Sequence, residues 1–322
     1  MKRNKLLIPL VLLIYCLVNS CTENSTNPTP PAEINDITSP PCQWINVLEI
    51  NSSGDFFAAT SDGLFHSTDN GSSWDLITIP FAGTEDINEL KIASNDYIYV
   101  PSYSLNVTYL LRSTDNGNTW SEIRSALGWI SSIEEDQYGN IYYCEHGLYK
   151  STDEGDSWQQ LYSEGVHDVF VPNDTMIIIG VPGTFSGHLI YSPNNGSTWQ
   201  TTSYNVTVLE FYKYGSIIFV GGMFGVEGGG GVHKSADEGI NWESCGLGRR
   251  SITSFVTNKL NQLFIGTDEG IYFINDEGTS WQNVLVDSVV TTLMHDSKNY
   301  LYAGTNNGTF MRSTDNGATW HN

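Results

Sequence analysis

Ser313-Thr314-Asp315-Asn316-Gly317-Ala318-Thr319-Trp320 has the pattern S-x-D-x-G-x-x-W, which recurs along the chain. Four more complete copies begin at Ser67, Ser113, Ser151 and Ser235. Two incomplete copies have Asn194 in place of the acid and Ile274 in place of the serine. Successive copies are 46, 38, 41, 43, 39 and 39 residues apart, and their third positions are Asp69, Asp115, Asp153, Asn194, Asp237, Asp276 and Asp315. This regular spacing indicates a repeat architecture with seven units.

Each repeat contains four short segments typical of strands. In the first repeat these are Ile45 to Ile50, Asp55 to Thr60, Leu64 to Ser67 and Trp74 to Ile79, with turn residues between them. Alternating apolar residues and turn signals at this spacing predict antiparallel strands. Four-stranded units repeated around an axis form a β-propeller. We therefore predict an all-β, seven-bladed β-propeller with the repeated motif at the turn between strands three and four of each blade.

The residue types of the motif suit such a turn. The short acidic side chain can accept hydrogen bonds from nearby backbone N–H groups. The glycine two residues later can adopt the positive φ that other residues resist. The tryptophan provides a large apolar surface for packing between sheets. These roles are structural, so the seven motif positions are not expected to be catalytic.

The motif and its period resemble the Asp-box, or BNR, repeat family, and the resemblance covers Cys42 to Asn322. That family includes sialidases, xyloglucan-cleaving endoglucanases, luminal sorting receptors and photosystem assembly factors of the Ycf48 type. The resemblance implies that the boxes lie on the rim, away from the ligand face. The assembly factors are similar to this chain in blade number and box spacing, which implies a scaffold that binds another protein.

The N-terminus is typical of an export signal. Residues 1–20 contain Lys2, Arg3 and Lys5, then an apolar segment that is short for a membrane span. The following Ser20-Cys21 resembles a bacterial lipobox, which implies lipidation of Cys21. Residues 21–41 are polar and proline-rich and predict a tether, followed by the propeller at residues 42–322. We expect a lipid-anchored protein of the cell envelope, on the outer membrane or cell surface, whose only membrane contact is the anchor. A secreted protein is the alternative.

Composition narrows the choice of partner. Removal of residues 1–20 leaves 11 basic and 36 acidic residues, a formal charge of −25. Such a surface repels phosphate backbones and argues against nucleic acid as a partner. The three remaining cysteines, Cys42, Cys144 and Cys245, lie in different repeats without metal-ligand spacing. We expect no metal, no cofactor and a monomer.

Enzymatic activity has little support in the sequence. Sialidases clamp a carboxylate with three arginines, whereas Arg112 and Arg312 here occupy a repeat position just before the box. An endoglucanase needs two opposed carboxylates, and the acids expected near the pocket are Glu85, Asp86, Glu164, Asp168, Glu227 and Asp268. An opposed acid pair with a raised pKa in the central pocket would favour the enzyme. We expect a non-catalytic propeller that binds a protein or glycan, with a xyloglucanase-like or sialidase-like glycoside hydrolase as the alternative.

Binding is expected on the pocket face, the end of the ring built by the connections that enter strand one and leave strand two. The connections between strands two and three are predicted to be long at Pro101 to Thr108, Val181 to His188 and Gly221 to His233. Exposed aromatic, methionine and arginine side chains suit recognition of a partner. The candidate contact residues are Tyr103, Trp129, His167, Met223, Phe224, Glu227, Arg249 and Arg250.

The last repeat ends at Asn322, where the other repeats continue into a fourth strand. A missing strand would leave an exposed sheet edge. We expect residues 32–39 to supply this strand and close the ring, with a truncated C-terminus as the alternative.

Overall fold

The computed structural model describes residues 36–322 except 82–85, 105, 184–186, 225–229, 275–279 and 287, and residues 36–322 form one compact unit. Every regular element in this part of the chain is a strand, and none of its elements is a helix that could cross a bilayer. The signal, Cys21 and most of the tether lie outside the described residues, as do Glu85, Glu227 and Asp276.

The strands form seven antiparallel sheets in chain order. Blades 1 to 4 contain β1 (Ile45–Ile50), β2 (Phe56–Thr60), β3 (Gly63–Ser67), β4 (Asp75–Ile77); β5 (Lys91–Ile92), β6 (Ile98–Ser104), β7 (Val107–Ser113), β8 (Ser121–Ala126); β9 (Ser132–Glu135), β10 (Ile141–Cys144), β11 (Leu148–Ser151), β12 (Gln159–Tyr162); β13 (Asp168–Phe170), β14 (Ile177–Val181), β15 (His188–Ser192) and β16 (Gln200–Thr201). Blades 5 to 7 contain β17 (Val208–Tyr214), β18 (Ile217–Gly222), β19 (Gly231–Ser235), β20 (Glu243–Gly246); β21 (Ile252–Thr257), β22 (Leu263–Thr267), β23 (Gly270–Ile274), β24 (Trp281–Val286); β25 (Val290–His295), β26 (Leu301–Thr305) and β27 (Phe310–Ser313). The predicted all-β, seven-bladed propeller is confirmed.

The box turns have the predicted position and a shared set of bonds. In the first copy, the Ser67 hydroxyl donates to Asp69 at 2.8 Å and accepts the Gly71 N–H at 2.9 Å, while Asp69 also accepts the Ser73 N–H at 2.8 Å. Asn194 keeps this arrangement by accepting the Thr198 N–H at 2.8 Å. The residue before the glycine also has positive φ, for example 59° at Asn70, a feature that the motif alone did not predict.

A ring of side-chain hydrogen bonds joins the innermost strands of neighbouring blades. At one repeat position, a polar side chain donates to a backbone carbonyl of the next blade. Thr291 closes the ring by donating to the Ile45 carbonyl at 2.6 Å. The other four bonds are Asn46 to Ile87, Asn88 to Ile130, Ser131 to Val166 and Thr253 to Val290.

Only part of the segment expected to close the ring lies within the described residues. Residues 36–39, the described part of segment 32–39, form no strand, and blade 7 has three strands followed by a single bridge between Arg312 and His321. Segment 38–43 instead crosses the junction between blades 7 and 1. Thr38 donates its N–H to the Gly71 carbonyl at 2.7 Å, and Ser39 Oγ accepts the Phe310 N–H at 2.9 Å. The described residues of this segment therefore join blades 7 and 1 through side-chain and turn contacts.

Candidate functional site

The pocket face is uneven because blade 2 projects from it. Strands β6 and β7 pair through Ser104 and Val107, so most of the predicted loop from Pro101 to Thr108 is a regular hairpin. Successive side chains on a strand point to opposite faces. Tyr103 therefore faces blade 3, and Tyr109, which lies opposite Ser102, faces blade 1.

Each tyrosine is covered by an exposed aromatic ring from a neighbouring connection. Trp129 stacks on Tyr103 with 4.2 Å between ring centroids, and Phe81 stacks on Tyr109 at 4.6 Å. Trp129 is 54% exposed, Phe81 is 49% exposed and Leu127 is 86% exposed. We call Phe81, Tyr103, Tyr109, Leu127 and Trp129 the aromatic ridge. Large apolar side chains exposed together on one surface are typical of interaction sites.

Contacts below the exposed rings fix the position of the aromatic ridge. Tyr103 is half-buried, and burial raises the pKa of its phenol. Its hydroxyl lies 3.3 Å from both the N–H and the carbonyl of Ile130. Phe81 has a φ of 63°, a backbone conformation that is rare for a bulky residue. Such outliers persist only where surrounding structure maintains them and are concentrated at functional sites.

A second group of the predicted contact residues lies where blades 5 and 6 meet. Met223 and Phe224 are exposed, and their N–H groups donate to the Thr207 carbonyl at 2.8 Å and the Ser251 hydroxyl at 3.0 Å. Arg250 is engaged by Glu269 at 2.5 Å, whereas Arg249 is exposed. The two arginines are therefore in different environments, one paired and one exposed to solvent.

His167 occupies the ring position that links blade 4 to blade 5. It directly precedes β13 and donates its N–H to the Gly180 carbonyl at 2.8 Å. Within the described residues its imidazole makes no hydrogen bond to another blade. Burial lowers the pKa of this half-buried imidazole. The structure thus places His167 at a blade junction, separate from the aromatic ridge.

The central channel carries a group of charges that the sequence did not indicate. A cavity of about 270 Å³ is lined by the innermost strands, with Glu49, Glu89, Lys91, Glu134 and Glu210 among its residues. Lys91 Nζ lies 2.8 Å from Glu134 Oε2. Asp168 lies beside this group in β13 and accepts the Ser132 hydroxyl at 2.7 Å.

The channel environment raises the pKa of most of these acids. Burial, with Glu134 nearby, raises the pKa of Glu49 and of Asp168 to about 7. Burial raises the pKa of Glu89 and Glu210 well above the ordinary range, and neighbouring carboxylates add to the effect. Burial by itself would lower the pKa of Lys91. The negative charges of Glu134 and Glu49 have the larger effect, so the pKa of Lys91 is raised. Like charges this close cannot all ionise at neutral pH.

Acids with raised pKa in a central cavity are the feature expected of the enzyme alternative. The cavity, however, holds only about nine water volumes, at about 30 Å³ each, and is smaller than most ligand pockets. Groups of the protein already donate hydrogen bonds to several of these acids. Asp168, for example, accepts the Ser132 hydroxyl and the Val169 N–H. The channel can therefore hold protons and water, but it has little room for a sugar chain.

A larger cavity of about 1230 Å³ lies at the opposite end of the ring, against Phe219 of blade 5 and Ile274 of blade 6. In other blades, this position is covered by the box glycine of the next blade, as Gly317 covers Phe264. The box of blade 6 falls on residues 275–279, outside the described part of the chain, so we assign no site here. The described residues contain no group of three or more side chains suited to hold a metal.

Comparison with known proteins supports the fold. No family model and no curated protein matches the sequence. Among solved structures, the extracellular domain of a putative hybrid two-component system from B. thetaiotaomicron matches with a TM-score of 0.70 and 15% identity, over 87% of this chain and 39% of that chain. YCF48 bound to a D1 peptide matches with a TM-score of 0.65 and 16% identity, over 85% and 95% of the two chains. An ancestral GH74 enzyme matches with a TM-score of 0.67 and 15% identity, over 89% and 47%.

These similarities are too distant to show more than a shared propeller. This chain spans well under two thirds of the two-component protein, and the three neighbours include both an enzyme and a peptide-binding protein. Function must therefore be inferred from the sites of this chain.

Proposed function

We propose that this chain is a non-catalytic binding propeller of the Asp-box type that recognises a partner protein through the aromatic ridge, with a glycan as the alternative partner. The main observation that supports this proposal is the stacking of the exposed Trp129 ring on Tyr103. A ring fixed by stacking and presented to solvent offers contact area at a low entropic cost. Leu127 and Phe81 add further exposed apolar side chains on either side of blade 2. Apolar anchors of this kind favour a protein partner.

The proposed location is the cell envelope, with the propeller outside the cytoplasm and Cys21 lipidated. The export signal and the proline-rich tether support this proposal. YCF48 in complex with a D1 peptide and the extracellular domain from B. thetaiotaomicron provide precedents for binding and for location on this fold.

Capture from solubilised envelope tests the proposal. The wild-type propeller, Trp129→Ala and the control Leu260→Ala are immobilised, and the retained proteins are quantified. Leu260 is 60% exposed but lies in the turn between β21 and β22, away from the pocket face. Loss of the same retained protein with Trp129→Ala alone supports the ridge. Equal retention by all three proteins contradicts it.

A glycoside hydrolase remains the second candidate because acids with raised pKa, such as Glu49, line the channel and Asp168 lies beside them. Its test is hydrolysis of β-glucans, xyloglucan and sialosides by the wild type and by Asp168→Asn. Activity that Asp168→Asn abolishes would establish the enzyme. Absence of hydrolysis across this panel would eliminate it.

A further inference from the structure

Blades 6 and 7 leave a recess on the pocket face because both have tight connections between their second and third strands. The connections are residues 268–269 and 306–309. The recess has a volume of about 390 Å³, within the range of small-molecule pockets. It is separate from the aromatic ridge, and its lining includes Asp268, Glu269, Tyr272, Asn283, Ser288 and Asn306.

One acceptor in this lining has no partner. Asp268 Oδ1 is buried and accepts no hydrogen bond within the described residues. Its neighbour Glu269 is already engaged by Arg250, whose pKa is raised by a hydrogen bond with Tyr272 and by the nearby acids. A buried acceptor without a donor is unfavourable and calls for an explanation, such as a ligand that supplies the donor.

The side chains around Asp268 define the ligand that would fit. Amide, phenol and hydroxyl groups both donate and accept hydrogen bonds, which matches a compact molecule with several hydroxyl groups. Among the described residues, Arg250 is the cation that lies by Asp268 and Glu269, and Glu269 already pairs with it, so the recess disfavours an anionic ligand. We propose that the recess binds one neutral sugar residue, with Asp268 accepting from a sugar hydroxyl.

This subsite adds a glycan component to the proposed binding function but does not depend on the aromatic ridge. The positively charged side chain of a protein partner could also reach Asp268. Such a side chain would be recognised by its charge, whereas a sugar would be recognised by hydrogen bonds from its hydroxyl groups. Added salt screens the first interaction and leaves the second largely unchanged.

Ligand-observed NMR and calorimetry on the intact propeller test the assignment. The probes are the methyl glycosides of glucose, galactose, mannose and xylose, with methyl glucuronide and Nα-acetyl-arginine amide for comparison. A single sugar residue should bind with a dissociation constant on the order of 1 mM. We expect at least one neutral glycoside to bind and methyl glucuronide to bind more weakly. No binding of any neutral glycoside, or binding of the arginine amide alone, would overturn the proposal.

Variants localise the bound sugar. Asp268→Ala should weaken binding by about tenfold because it removes the unpaired acceptor. Glu164→Ala, which removes an exposed carboxylate from another connection on the same face, should bind as the wild type does. Asn283→Ala, at an exposed position, gives a second test if Asp268→Ala does not fold. Trp129→Ala should retain sugar binding, which separates this subsite from the ridge. Unchanged affinity in both Asp268→Ala and Asn283→Ala would contradict the assignment.

Discussion

Lys91 Nζ lies 2.8 Å from Glu134 Oε2 and joins blades 2 and 3 inside the central channel. Lys91 is the only cation among the channel residues that the structure describes, and Glu49, Glu89, Asp168 and Glu210 surround the pair. Both side chains are partly buried, at 20% and 36% exposed, so removal of one leaves the other charge only partly compensated by water. The stability of the folded channel therefore depends on the Lys91–Glu134 pair and on how many of the surrounding acids are protonated.

Lys91→Met should destabilise the propeller at pH 8. We expect a loss of about 1–2 kcal/mol in the free energy of unfolding, because the acids then face each other without a cation while the partly exposed pair is screened by water. At pH 5 the loss should be smaller, because protons can neutralise the acids. Urea unfolding at both pH values measures the difference. Lys234→Met is the control, since Lys234 pairs with exposed Glu243. An equal loss at both pH values would contradict this prediction.

Wild-type stability should fall as pH rises from about 4.5 to about 7. The pKa of Glu49 is 4.5 in an ordinary environment and about 7 in the folded channel. In this window the folded protein therefore holds a proton that the unfolded chain has lost, and the free energy of unfolding decreases with pH. The contribution of Glu49 is complete above pH 7, and Asp168, Glu89 and Glu210 contribute in the same direction.

Glu49→Gln should flatten this profile and raise stability at pH 8 by about 1–2 kcal/mol, less than the full linkage value because the channel admits water. Thermal unfolding between pH 4 and pH 8 measures the slope. Glu243→Gln is the surface control and should leave the slope unchanged. A Glu49→Gln profile as steep as that of the wild type would show that Glu49 is not the titrating group.

Gly308→Ala should weaken the closure of the ring. Gly308 has a φ of 76°, and an added Cβ would collide with the Cys42 carbonyl in the segment that crosses blades 7 and 1. Gly54→Ala is the matched control, since Gly54 has a φ of 87° but open space around the added Cβ. We expect Gly54→Ala to cost about 1 kcal/mol and Gly308→Ala about 3 kcal/mol. Equal losses in chemical unfolding would show that the Cys42 contact does not stabilise the closure.

The blade count and the box position could be predicted because each box is a local turn with its own pattern. Ser67 bonds to both Asp69 and Gly71 within five residues, so their sequence spacing encodes their geometry. The closure of the ring could not be predicted this way. It depends on contacts such as Ser39 with Phe310, which are far apart in the chain.

Asp168 was among the acids expected near the pocket, but the other channel acids escaped prediction because each lies alone in its own repeat. Strand pairing places Glu49, Lys91 and Glu134 at one repeat position, opposite Phe57, Tyr99 and Tyr142 respectively. Alignment of the repeats outward from the boxes would have revealed this layer of charges.

The candidate contact residues were only partly brought together. Tyr103 and Trp129 stack in the ridge, Met223 and Phe224 lie by blade 6, and His167 lies at a blade junction. Phe81 and Tyr109, which complete the ridge, were not predicted. Phe81 belongs to blade 1's outgoing connection and meets Tyr109 only through the packing of two blades.

Site-specific photocross-linking tests the binding role of the ridge most directly. A benzophenone amino acid replaces Leu127 in one protein and the exposed Leu260 in another, and both are irradiated in intact cells. Position 127 should yield a discrete cross-linked protein, and the yield should fall at least about tenfold when Trp129→Ala is added. Position 260 should not yield that product. The same product from both positions, or none from position 127, would contradict partner recognition by the aromatic ridge.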